Sequence, residues 1–146
     1  MLIGLPASGK TSFYRERFAQ SHAHVSKDAF PRARNRARRQ ARLIREALSR
    51  GCSVVLDNTN INREQRQQAI ALARESGARV VGYYFPSTPS ECLARNQARQ
   101  GRARVPAVAI FACAKQLQAP SLQEGFDALY EVHLREDRFE LSALGP

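Results

Sequence analysis

Short apolar runs alternate along the chain with longer segments of helical apolar spacing, the signature of an α/β domain built on a mainly parallel sheet. The runs Met1–Leu5, Ala23–Ser26, Ser53–Asp57, Arg79–Phe85 and Leu129–Leu134 predict strands. Between them, Lys10–Gln20, Pro31–Arg50, Arg63–Ser76, Pro89–Gln100 and Pro106–Leu117 predict helices. The fourth helix has the clearest start, because Thr88 can cap it, Pro89 suits its first turn and Glu91 completes a capping box. Gly51 and Gly77 are placed to end the second and third helices. The 146 residues suit one domain spanning 1–146, with residues from about 135 to 146 read as a loose tail.

Composition narrows the classes of function. Hydrophobic residues make up 43% and charged residues 25%, a globular balance that excludes wholesale disorder. The longest apolar stretch, Val105 to Ala114, is broken by Pro106 and falls well short of the roughly 20 residues of a membrane helix. MLIGLPASGK at the start lacks the basic-then-apolar plan of a secretory signal, so a cytoplasmic location is expected. Cys52, Cys92 and Cys113 are odd in number and widely spaced, which reads as reduced and mostly buried thiols rather than a disulfide framework or metal site. Charge is the anomaly. Lys plus Arg is 23 against 13 for Asp plus Glu, a net of +10, and 20 of the cations are arginine. That excess points to a polyanionic partner, since a guanidinium fork matches two phosphate oxygens at once; the plainer reading is a solvated surface.

The strongest local signal is Gly4-Leu5-Pro6-Ala7-Ser8-Gly9-Lys10-Thr11, a complete G-x-x-x-x-G-K-[ST] pattern between an apolar run and a helical one. Glycines let such a loop turn its backbone N–H groups toward phosphate oxygens, Lys10 reaches the outer phosphates and Thr11 offers a hydroxyl to Mg²⁺. Ser12 follows at the start of the helix, whose positive dipole end adds to the cradle. Only Met1, Leu2 and Ile3 precede Gly4, which is short for a central strand and leaves room for a start upstream.

Transfer of a γ-phosphoryl group also needs a carboxylate near the acceptor hydroxyl and often another near the metal. Asp28 follows His24-Val25-Ser26, and Asp57 follows Val54-Val55-Leu56. The carboxyl ends of parallel strands face the ligand crevice, so both aspartates are candidates; a purely local turn or cap is the competing reading for each. Seven of the fourteen residues from Arg32 to Arg45 are arginine. Helical spacing puts Ala33, Ala37, Ala41, Ile44 and Leu48 on one side, with Arg32, Arg36 and Arg39 on one rim and Arg34, Arg38, Arg42 and Arg45 on the other. A second set, Arg95, Arg99, Arg102 and Arg104, ends the fourth helix and reads as a lid that carries positive charge over the triphosphate.

The ordered set of Gly4 to Thr11, Val25-Ser26-Lys27-Asp28, Val54 to Asn60, and Arg95-Asn96 with Arg99 and Val105-Pro106 resembles the 5′-hydroxyl polynucleotide kinases. Gln118-Ala119-Pro120-Ser121-Leu122-Gln123-Glu124-Gly125-Phe126 adds a likeness to the kinase half of the mammalian phosphatase-linked members. The resemblance covers residues 1 to about 134. It implies a three-layer α/β/α P-loop kinase fold with a short arginine-bearing lid, and ATP with Mg²⁺ as the cofactors. Asp28 is implied as general base on the 5′-hydroxyl, Lys10 and Thr11 as triphosphate and metal contacts, and Arg99 as lid arginine with Arg95 beside it. Asp57 matches the family's second aspartate, a catalytic and metal-side position.

Two departures stand out. Ala7 replaces a usual glycine, which predicts a negative φ there. Pro31 stands where the phage-type enzymes have an arginine, with Arg32 next to it. No D-x-D-G-T phosphatase motif occurs in the chain. The expected activity is therefore transfer from ATP to the 5′-hydroxyl end of DNA or RNA. A P-loop kinase of a small metabolite or antibiotic hydroxyl is the alternative, and a non-catalytic nucleotide-binding regulator is a third reading that Asp28 and Arg99 disfavour. The sequence implies no membrane and identifies no protein partner.

Overall fold

A computed structural model describes all residues, Met1–Pro146. In chain order the elements are β1 (Leu2–Gly4), α1 (Lys10–Arg17), β2 (His22–Val25), α2 (Arg36–Ser49), β3 (Ser53–Leu56), α3 (Arg63–Glu75), β4 (Val81–Phe85), α4 (Pro89–Gln97), α5 (Ala107–Gln116), β5 (Ala128–Arg135) and β6 (Arg138–Ala143). Five predicted strands and five predicted helices are present. Their ends move because local chemistry decides them: Asn35 caps α2 by accepting from Arg38 N–H, so Pro31 to Arg34 lie before the helix rather than in it. Thr88 and Glu91 close the capping box of α4, and Gly51 and Gly77 follow α2 and α3 with φ of 75° and 68°.

β1, β4, β5 and β6 form one sheet in the order β1-β4-β5-β6, and β2 with β3 forms another. All pairs are parallel except β5 with β6. A single parallel bridge between Leu2 and Asp57 joins the two half-sheets. Beyond it they part, leaving an apolar cleft of about 430 Å³ lined by Met1, Ile44, Val54, Ala69 and Val80 among others. The strand alternation assigns the layers. Leu2, Val55, Phe85 and Val132 meet Phe13 of α1 on one face, while Ile3, Val80 and Leu129 meet Ile70 of α3 on the other. Val25 and Leu56 meet Ile44 of α2 and Leu72 of α3 on that second face. Cys92 of α4 and Ile110 of α5 close over Leu5 and Ala7 at the loop end. The fold is the three-layer α/β/α P-loop arrangement. No helix is long and apolar enough to cross a membrane.

Two expectations need correction. The tail from 135 to 146 is not loose: β6 pairs with β5 from Arg135↔Arg138 to Tyr130↔Ala143. Its two-residue turn, Glu136-Asp137, holds φ of 47° and 60°, the left-handed pair that suits a tight hairpin. Asn-Gly would have announced such a turn, and Glu-Asp does not. The cysteines are not mostly buried either; Cys92 is, Cys113 is half-buried, and Cys52 is exposed after the glycine that ends α2.

Phe139 makes β6 part of the core, its ring 5.2 Å from Phe13 in an edge-to-face contact. Phe139→Ala should therefore cost on the order of 2 kcal/mol, below the full-burial range because Phe139 is half-buried. Urea unfolding would read it, and a change within about 0.5 kcal/mol, ordinary for an exposed site, would show that β6 does not cover the core.

Candidate active site

Close packing shapes the phosphate loop. A Cβ on Gly4 would meet Phe85 and Ser8 at 3.0 Å, and Gly9 takes φ 97° at the start of α1. Ala7 departs from expectation: its φ is 62°, so the alanine occupies the left-handed region at a cost of about 1–2 kcal/mol. It is buried against Leu5, Cys92 and Ile110, and the methyl's packing there offsets the strain. Pro6 is half-buried and Ser12 exposed along the loop's rim. Lys10 folds across the loop, its Nζ donating to Leu5 O at 2.6 Å, Gly4 O at 3.0 Å and Ser8 Oγ at 3.3 Å. Burial lowers its pKa to about 8; the carboxylate of Asp57 opposes that shift and the nearby Arg99 adds to it. Asp57 and Arg99 thus both act electrostatically on the lysine.

Asp57 lies directly after β3, 5% exposed. Its Oδ2 accepts from Thr11 Oγ1 at 2.8 Å and lies 2.8 Å from His24 Nε2. His24, on β2, stacks against Tyr14 of α1 with ring centroids 4.2 Å apart. The sequence reading missed this histidine. Its one signal was a polar residue in the strand just before Asp28.

The segment from Asp57 to Asn60 is tied to the loop by backbone and side chain. Gly4 N–H donates to Thr59 O at 2.9 Å, and Asn60 Nδ2 donates to Leu2 O at 2.7 Å. Arg66 of α3 holds it from behind, donating to Asn60 O at 3.0 Å and to both oxygens of Glu124 at 2.7 and 2.9 Å. Arg66 is fully buried. Leaving either member of such a pair alone in the core costs several kcal/mol, which makes the Glu124 stretch a structural support for the site. Neither residue was singled out from the sequence as a working part.

Asp28 is placed differently from Asp57. It sits in a 3-10 turn, Lys27–Ala29, 94% exposed, with Arg36 of α2 3.7 Å away. Asn58 links this turn to the strand end, accepting from Lys27 N–H at 2.9 Å and donating to Gln40 at 2.7 Å. Asp28, Arg36, Gln40 and Asn58 all line a groove of about 350 Å³ between α2 and α3. Asp28 makes no hydrogen bond or ion pair with the loop or with Asp57, so the two predicted carboxylates occupy separate stations, one at the loop and one at the groove.

On the other side of the loop, Arg95 Nη1 lies 3.4 Å from Ser87 Oγ and Arg99 donates to Ala103 O at 3.1 Å. Arg102 belongs to a 3-10 turn, Gly101–Ala103, with Arg104 after it. Asn96 fastens this segment, exchanging hydrogen bonds with Val105 at 2.8 and 3.0 Å. A hydroxyl and a carboxylate oxygen at the end of a phosphate loop are a donor set suited to Mg²⁺, which keeps several waters and takes one or two protein oxygens beside phosphates.

A family model described as an AAA domain matches residues 1–120. The chain belongs to the AAA domain family. It is 29% identical over 141 residues to a bifunctional polynucleotide phosphatase/kinase of Schizosaccharomyces pombe, covering 90% of this chain and 32% of that protein. A putative bifunctional polynucleotide phosphatase/kinase of Acanthamoeba polyphaga mimivirus is 29% identical over 148 residues, covering 94% of this chain and 34% of that one. The chain spans about a third of the length of these curated relatives. Among solved structures, Chaetomium thermophilum Kti12 in complex with ADP-AlF3 matches with a TM-score of 0.64 at 17% identity, covering 89% of this chain and 86% of that one, a likeness of fold. With these matches and the loop geometry, this AAA domain is a polynucleotide kinase-like P-loop domain.

Lys10 gives the domain a measurable proton linkage. In the free protein its pKa lies near 8, and a polyphosphate against Nζ favours the charged form and raises it. ATP binding should therefore take up a proton increasingly as pH rises from neutral to above 8, and affinity should fall in the same range. Calorimetry in two buffers of different ionisation enthalpy reads the uptake. Its absence above pH 8 would mean that the nucleotide does not reach Lys10.

Proposed function

We propose that this domain transfers the γ-phosphoryl group of ATP to the 5′-hydroxyl end of a nucleic acid. One juxtaposition carries the reading: a phosphate loop whose Thr11 meets Asp57, beside a groove with Asp28 and its partner Arg36 at the edge. The names of the two curated relatives support a polynucleotide acceptor.

The loop N–H groups and Lys10 hold the β- and γ-phosphates, and Arg99 on the segment after α4 neutralises charge that builds up in transfer. Thr11 and Asp57 would hold Mg²⁺, which would supply charge neutralisation on the phosphate oxygens. Asp28 takes the proton of the 5′-hydroxyl as its oxygen bonds to the γ-phosphorus. The bond from that phosphorus to the β,γ-bridging oxygen breaks, and ADP leaves. The exposure of Asp28 leaves it open to an arriving strand. Arg34, Arg38 and Arg42 are exposed and meet the strand's phosphates. Three free cysteines suit a cytoplasmic setting.

Asp28→Asn should lower transfer to a 5′-hydroxyl oligonucleotide by about 10²–10⁴-fold and leave ATP affinity unchanged. Acceptor affinity should fall with salt at a log–log slope of about 0.7 per phosphate contacted, and the slope should flatten in an Arg34→Gln, Arg38→Gln variant. A salt-independent acceptor, with polyols phosphorylated in place of oligonucleotides, would assign the domain to small-molecule kinases.

A further inference from the structure

The groove beside Asp28 carries more than a place for a hydroxyl. Its lining carries five side-chain amides, Gln40 on α2, Asn58 and Asn60 after β3, and Gln65 and Gln68 on α3. The walls between them are small and apolar, with Ala37 and Ala41 on one helix and Ala69 on the other, above Ile44 and Leu72. Its cations are Lys27 and Arg36, and Arg36 is engaged by Asp28 at 3.7 Å. A phosphate site would invert this balance, with cations outnumbering amides. The volume of about 350 Å³ lies in the range of small-ligand pockets, about 300–1,000 Å³.

The geometry points to a seat for the nucleobase of the acceptor's terminal nucleoside, in the amide-rimmed groove between α2 and α3. The seat rests on the reading of the domain as a 5′-hydroxyl kinase and gives that reading a recognition element. A planar ring slides between small apolar walls, and its polar edge meets amides that both donate and accept. Gln side chains suit base edges for this reason. Three of the amides are committed to order: Asn60 donates to Leu2 O at 2.7 Å, and Asn58 donates to Gln40 at 2.7 Å and accepts from Lys27 N–H, which fixes one wall. Gln65 and Gln68 are exposed, three residues apart on one face of α3, and make no side-chain hydrogen bond within the protein. They are the pair left to read a ligand. The acceptor is then held at two places of different chemistry: its terminal base in the groove and its phosphates along the arginines of α2.

The test compares kcat/KM for two 5′-hydroxyl trinucleotides that differ only in the terminal residue, one with its base and one abasic. The intact end should be favoured by about tenfold or more, within the range for a bidentate amide–base contact. In a Gln65→Leu, Gln68→Leu variant that ratio should shrink toward one. Because the ratio is taken within one enzyme, partial loss of folded protein cancels. A ratio near one in the unaltered protein would overturn the seat while leaving the kinase reading intact. A large ratio that the double variant leaves unchanged would overturn its assignment to this groove. No transfer to either trinucleotide would overturn the kinase reading and the seat with it.

Discussion

One β-bridge, between Leu2 and Asp57, joins the two half-sheets of this domain, and the candidate active site is built on that seam. Below the bridge the strands part around an apolar cleft; above it the phosphate loop and the segment from Asp57 to Asn60 are held by short hydrogen bonds. The position of Asp57 relative to Thr11 therefore depends on the same few contacts that keep the sheet whole. Arg66 and Glu124 reinforce them from α3 and the turn before β5. A buried ion pair of this kind contributes little when intact and is costly to break, so its effect is to fix one arrangement of the seam.

Charge is segregated around the seam, and in the proposed reaction that segregation separates donor from acceptor. Lys10 and Arg99 act on the loop side, where burial already strains Lys10 toward its neutral form and an anion relieves that strain. The other arginines of α2 are exposed, and Arg36 of that helix lines the groove beside Asp28. In the proposed reaction this spacing keeps the acceptor's phosphates from competing for the cations that hold the triphosphate.

Much of this was legible in the sequence, for local reasons. The Gly-Lys-Thr pattern, the capping box at Thr88 and the glycines after α2 and α3 act within a few residues, and each element they mark is present. What escaped depended on partners distant in sequence or on a turn with unhelpful residues. β6 was hidden because Glu136 and Asp137 take the left-handed conformation without a glycine to announce it. His24 gains its meaning only when β2 lies beside β3, and Arg66 only when Glu124, 58 residues away, folds against it. Ala7 ran against expectation because its methyl packs in a core contributed by α4 and α5.

The proposed role of Asp57 is to hold, with Thr11, the metal that accompanies ATP, and the Mg²⁺ dependence of ATP binding tests it most directly. Calorimetric titrations over a series of Mg²⁺ concentrations, in the unaltered protein and in Asp57→Asn, give the concentration that supports half of the maximal affinity. The asparagine keeps the shape and an oxygen for Thr11 but loses the charge, so that concentration should rise by about 10-fold to 100-fold, as for other groups that support a bound metal. Coincident Mg²⁺ curves for the two proteins would contradict the role and return Asp57 to a purely structural tie across the seam.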